Sequence, residues 1–152
     1  MIRCYDIGLY PAYLWVSTLE YFDKYKSRFY YYASIADMNN DNPGTPTSPT
    51  NKGGVTFVVI EKKTKKKGIL ILIDVDIKGI TDFDFDVVAH ESVHGADAIY
   101  DFIGAYGEGY DRGNEPYAYL VGFIAGKIGQ YMIDYIRAVS YTHLTLPTIL
   151  LV

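Results

Sequence analysis

Two histidines four residues apart, with a glutamate directly after the first, are the residues of this chain best suited to chemistry: His90-Glu91-Ser92-Val93-His94. On a helix, positions i and i+4 share a face, so both imidazoles can bind one metal ion. Zinc takes imidazole nitrogens at about 2.0–2.1 Å in a tetrahedral set and, in catalytic sites, keeps one position for water. Glu91, beside the first ligand, is placed to act as general base toward that zinc-activated water as it attacks a carbonyl. The competing explanation is structural: a short string of this kind also arises by chance, and a histidine on a helix usually serves packing.

The surrounding sequence favours chemistry. Thr81-Asp82-Phe83-Asp84 offers N-cap residues and early acids, predicting a helix from there to about Phe102. Residues 85, 88, 92, 95, 96, 99, 102 and 103 form its apolar face, and His90, His94, Asp97 and Asp101 lie on another. Ahead of it, Val55–Glu61 and Gly68–Ile77 read as two strands of a hairpin, the second apolar enough for burial on both faces. Behind it, a glycine-rich connection (Gly104–Gly113) leads to a further helix opening at Asn114-Glu115-Pro116. Tyr117, Val121, Ile124, Ile128, Tyr131 and Tyr135 are its expected buried stripe. Glu115 thereby opens the next helix with a carboxylate within reach of the same metal. Glu108 and Asp111 in the connection are rival third ligands.

HESVH followed by Asn114-Glu115 resembles the gluzincin arrangement of thermolysin-like peptidases, and the run VVAHESVH…NEPYAYLVGFIAGKI is similar to small uncharacterised metallopeptidase-like proteins of bacteriophages and gut bacteria. The resemblance covers roughly residues 55 to 136. It implies a minimal zincin-like fold, one zinc ion on His90, His94 and Glu115, Glu91 as catalytic base, and peptide-bond hydrolysis. The chain departs from that pattern at Tyr119, where thermolysin-like enzymes carry an acid that orients a ligand histidine. Asp97 and Asp101 are the candidates to orient the imidazoles instead. Tyr106, Tyr110 and Tyr119 are candidate oxyanion donors. The alternative function is a zinc-stabilised, non-catalytic protein-binding module of phage origin. Against it, a structural site has no use for Glu91 and would employ a fourth protein ligand.

Further upstream, residues 8 to 17 read as an extended segment, Thr18–Tyr25 as a short helix, Arg28–Ala33 as a strand and Met38–Gly54 as a long loop. Strands first and helices last argue α+β, a small antiparallel or mixed sheet packed on the two helices. With 152 residues there is room for one domain, expected over residues 1–137. From Ala138 to Thr148 the chain reads AVSYTHLTLPT, which resembles a translated sequencing-library transposon end with its adapter. Residues 138–152 are therefore expected to be a non-native tail, and His143 leaves the ligand set. The plain alternative for that tail is a terminal strand.

A net charge of −4 gives no electrostatic case for nucleic acid. The one basic cluster, Lys62 to Lys67, reads as a solvated hairpin turn. The single cysteine, Cys4, excludes an intrachain disulfide and a thiolate zinc cluster. Sixteen tyrosines are expected mainly in packing roles. No apolar run has membrane-spanning length, so the expectation is a cytoplasmic protein of a bacterial or phage-infected cell. Its partner is expected to be a peptide or protein substrate, with no nucleic acid and no membrane, and its oligomeric state is not readable.

Overall fold

The computed structural model describes residues 1–50 and 52–150, with the side chains of all but 143–150. Five strands form one mixed sheet: β1 (Ile2–Asp6), β2 (Tyr13–Thr18), β3 (Phe29–Tyr32), β4 (Gly54–Glu61) and β5 (Lys67–Ile73). Their order is β1-β2-β5-β4-β3, with β2 and β5 parallel and every other pair antiparallel. Two short helices, α1 (Phe22–Tyr25) and α2 (Ile35–Asn39), precede two long ones, α3 (Asp82–Ile103) and α4 (Glu115–Leu150). This is the α+β architecture that the order of apolar segments predicts.

The alternation of side chains along the central strands divides the core in two. Leu14, Val16, Ile69, Ile71 and Ile73 face α3 and α4, where Ala96, Ile99, Leu120, Ile124, Ile128 and Tyr131 meet them. Trp15, Leu70 and Leu72 face the other way, onto Phe22, Phe29, Tyr31 and Val59. Burial on both faces explains the unbroken apolar run of β5. That strand stops at Ile73 rather than Ile77, just before the acids Asp74 and Asp76.

Around this centre several details differ from the sequence reading. The extended segment expected over 8–17 is a strand only from Tyr13, because the chain turns at Gly8 with φ +71°, and β1 adds a strand at 2–6. The expected helix over Thr18–Tyr25 is a short α1 flanked by single 3-10 turns at Leu19–Tyr21 and Lys26–Arg28. The long loop is shortened by α2, capped by the Ser34 hydroxyl accepting from Asp37 N–H at 3.1 Å. Phe85, assigned to the apolar face of α3, is 69% exposed. The lysine cluster does form the β4–β5 turn, where Lys62 and Lys65 lie over the Tyr30 ring and Lys66 over Tyr13. Helix α4 runs unbroken past Ala138 to Leu150, so this stretch is helix rather than a terminal strand. The His143 side chain lies outside the described residues. Among the described residues no helix is long and apolar enough to cross a membrane.

Candidate metal centre

Helix α3 begins where Thr81 and Asp84 meet: the Asp84 carboxylate accepts from the Thr81 N–H at 2.6 Å, tying down a donor that the first turn leaves unpaired. Ser92, Gly95, Ala96 and Ile99 then turn inward, and His90, His94, Asp97 and Asp101 are left on an exposed face. Small residues on the inner side let the helix lie close to the sheet. A Cβ on Gly95 would come within 2.8 Å of Ile69 Cδ1.

The two imidazoles meet as the i, i+4 spacing requires. Their Nε2 atoms are 3.0 Å apart, with ring centroids at 4.6 Å and planes 80° to each other. Two nitrogens bound tetrahedrally to one zinc ion stand about 3.3 Å apart. The pair therefore fits the first half of a zinc site. A third donor is not assembled in this arrangement: among the described residues no three His, Cys, Asp or Glu side chains stand close enough to hold one ion.

Glu91 sits between the helix and the sheet, only 5% exposed. Its Oε2 accepts from the Thr56 hydroxyl on β4 at 2.6 Å. Gly54 makes this approach feasible, because a Cβ there would lie 2.9 Å from Glu91 Cγ and 2.9 Å from Val87 Cγ1. A buried glutamate is rare unless something pairs with it, and one neutral hydroxyl satisfies only part of a carboxylate. Glu91 thus occupies a position that a purely structural helix would fill with an apolar side chain.

A cleft of about 560 Å³ opens over these groups, lined by His90, Glu91, His94, Asp97, Ala98 and Asp101 from α3 and Gly54, Val55, Thr56 and Val58 from β4. Ala33, Ser34, Ile35 and Lys52 also line it. On the far side of Glu91 a smaller lobe of about 340 Å³ continues between Gly53, Phe83, Asp86 and Val87.

The backbone of β4 adds polar groups to the cleft. Asp74 N–H donates to the Gly53 carbonyl at 2.8 Å, and Gly54 pairs with Ile73. Antiparallel alternation then points the N–H and C=O of Val55, Phe57 and Val59 at β5, and those of Gly54, Thr56, Val58 and Ile60 the other way. Strand β3 covers only Val58–Glu61 on that side. Among the described residues no strand pairs with the outward groups of Gly54 and Thr56, which form a short bare sheet edge beside Glu91.

The remaining candidates sit elsewhere. Glu115 is exposed at the start of α4 and is not among the cleft residues, and Glu108 and Asp111 are exposed in the preceding connection. Asp97 and Asp101 border the cleft, but neither accepts a hydrogen bond from His90 or His94. Asp97 instead accepts from the Tyr117 hydroxyl at 2.7 Å. Burial and that carboxylate push the Tyr117 hydroxyl up to about 12, which keeps it a donor. This bond pins the first turn of α4 to α3 one turn beyond His94. Of the oxyanion candidates, Tyr106 and Tyr110 are 87% and 86% exposed, and Tyr119 lines a separate apolar groove with Ile7, Leu9 and Tyr10. Sequence reasoning missed Thr56, Gly54 and Lys52. Only the glycine pair before a strand hinted at a close approach.

Compared with known proteins, the chain matches no family model, no curated protein and no solved structure.

Proposed function

We propose that this protein is a zinc-dependent peptide hydrolase whose metal is held by His90, His94 and Glu115 and whose general base is Glu91. The observation that carries this reading is the buried Glu91 carboxylate, set beside two converging imidazoles at the floor of a cleft. A zinc ion held there supplies Lewis-acid polarisation of water and of a carbonyl.

The chain's own groups do the rest. Thr56 fixes Oε2 of Glu91, and Oε1, which has no hydrogen-bond partner among the described residues, receives the proton of the attacking water. The bare edge of Gly54 and Thr56 binds an extended peptide as an added strand, so the backbone of the substrate is held by the backbone of the enzyme. Lys52, at the rim of both lobes, supplies a cation next to the reacting carbonyl. Glu115 supports the third-ligand assignment by its place in the chain. The Tyr117–Asp97 bond holds the first turn of α4, which Glu115 opens, beside α3.

Glu91→Gln tests the reading. The parent loaded with one equivalent of zinc is expected to cut denatured casein, and Glu91→Gln to keep its zinc while losing at least about a hundredfold in rate. A fully active Glu91→Gln would remove the general-base role. The non-catalytic binding module stays the second reading: it uses the same imidazole pair and asks nothing of Glu91.

A further inference from the structure

The outer face of α4 lacks the charge that the solvent side of an amphipathic helix normally carries. Leu120, Ile124, Ile128, Tyr131 and Tyr135 turn inward, which leaves the opposite side of the helix facing out. Every exposed residue between Glu115 and Arg137 is uncharged, among them Tyr119, Phe123, Gly126, Gln130 and Ile133. The two charged side chains within that span are turned aside. Lys127 lies over the Tyr5 and Phe123 rings, and Asp134 pairs with Arg3 at 3.1 Å. Beside Tyr119 and Phe123 an apolar groove of about 690 Å³ runs along the β1–β2 connection, where Leu9 stands fully exposed.

The order of residues along this face matches a second copy of the same helix. With 3.6 residues per turn, Glu115, Tyr119, Phe123, Ile133 and Arg137 all lie within about 60° of Gly126. Two copies laid antiparallel about a two-fold axis at Gly126 bring together residues equally far before and after it. Glu115 then meets Arg137, its opposite in charge, and among the described residues neither is in a salt bridge within the chain. Tyr119, at the groove, meets Ile133. Phe123 meets Gly129, so each ring arrives where the other helix has no side chain. Nothing lies within 4 Å of where a Cβ would stand on Gly126 or Gly129, so the monomer does not need these glycines. Each costs about 1 kcal/mol of helix propensity relative to alanine, which close approach of another helix would offset.

We propose that two copies of this chain pair through the outer face of α4, antiparallel about a two-fold axis at Gly126. This goes beyond the hydrolase reading and does not depend on it. The Arg137 guanidinium needs one oxygen of Glu115, which leaves the other for a metal. From Glu115 to Arg137 the face is about 33 Å long and about 10–12 Å wide, or about 350 Å² in projection. A standard interface buries about 800 Å² per partner, so this dimer is weak and forms at about tens of micromolar chain.

Sedimentation equilibrium of the full chain measures the mass, in EDTA so that no metal bridges histidines of two copies. The parent is expected to go from the mass of one chain at about 1 μM to that of two at about 500 μM. Arg137→Glu sets carboxylate against carboxylate twice in each dimer, and is expected to weaken association about tenfold. Glu115→Arg combined with Arg137→Glu is expected to restore it. Gly126→Glu adds a side chain where the fold leaves open space. It is expected to remain monomeric with no loss in its unfolding midpoint. A parent that is monomeric at every concentration would overturn the proposal, as would a dimer that Gly126→Glu leaves intact. A double variant that associates no more tightly than Arg137→Glu would also overturn it, because the charge pairing is what fixes the axis at Gly126.

Discussion

The Thr56 hydroxyl donates to Oε2 of Glu91 across 2.6 Å, joining the middle of a strand to the middle of the helix that carries both histidines. This one bond orients the only buried carboxylate of α3. Groups that orient active-site residues without touching substrate typically matter ten- to a hundredfold. Thr56→Val is expected to lower kcat by about that factor at nearly unchanged KM, and Thr56→Ser to restore it. A valine variant as active as the parent would show that Glu91 needs no such partner.

Three glycines separate structural from functional damage. At Gly68 a Cβ would fall 1.9 Å from the Tyr13 carbonyl oxygen, inside the parallel β2–β5 pairing, where backbone cannot give way. Gly68→Ala is expected to abolish cooperative thermal unfolding. At Gly95 the nearest atoms are the Cδ1 ends of Ile69 and Ile124, which can turn aside, and alanine gains about 1 kcal/mol of helix propensity. Gly95→Ala is expected to shift stability by less than about 1 kcal/mol. Gly54→Ala lies between them. It pushes on Cγ of Glu91 and Cγ1 of Val87, and should cost more activity than its stability loss of about 1–3 kcal/mol explains.

Alkaline pH should loosen the fold through Tyr131. Its hydroxyl is inside the core, donating to the Met1 carbonyl at 2.6 Å, and burial pushes it up to about 12. In the unfolded chain a tyrosine loses its proton near pH 10. Below that pH both states are protonated and the contribution is complete. Between about pH 10 and 12 the unfolded chain has shed the proton that the folded one retains, so stability falls as pH rises. Denaturant titrations across this range should show the decline, and Tyr131→Phe should shallow it. A decline unchanged in Tyr131→Phe would assign it to other groups.

The Tyr117–Asp97 bond links the two helices at the level of the candidate centre. Tyr117→Phe leaves the ring against Tyr100 but removes the donor. If that bond places the start of α4, zinc affinity should weaken about tenfold while the unfolding midpoint changes little. Competition with a chromogenic chelator measures it, and an unchanged affinity would remove Tyr117 from the account.

Much of this structure is legible in the sequence, for reasons visible at particular residues. The helix over 82–103 announces itself through its cap at Thr81 and the period of Ser92, Gly95, Ala96 and Ile99, and periodicity alone brings His90 and His94 together. The continuous run Ile69–Ile73 correctly signals a strand buried on both faces. Strand β1 escapes notice because Ile2–Asp6 is five residues of mixed polarity at the edge of the sheet, paired with β2. Helix α2 is equally short, although Ser34 and Asp37 carry a capping pattern. Thr56 was not foreseeable, since its contact with Glu91 depends on strand register and on how closely Gly54 lets the helix approach. The third metal donor is the other gap. Sequence spacing names Glu115, which stands exposed at the start of α4 and outside the cleft, and spacing alone carries no information on how a side chain at a helix start is turned.

Bound metal per chain tests the central claim most directly. Purified protein incubated with excess zinc and desalted is expected to hold about one equivalent, measured by atomic emission. His90→Ala, His94→Ala and Glu115→Ala should each lose it, and Glu91→Gln should keep it. Loss in the histidine variants alone would move the third ligand to Glu108, Asp111 or Asp97. A folded parent that holds no zinc after that incubation would contradict the account, leaving His90 and His94 as two exposed side chains of a small α+β domain.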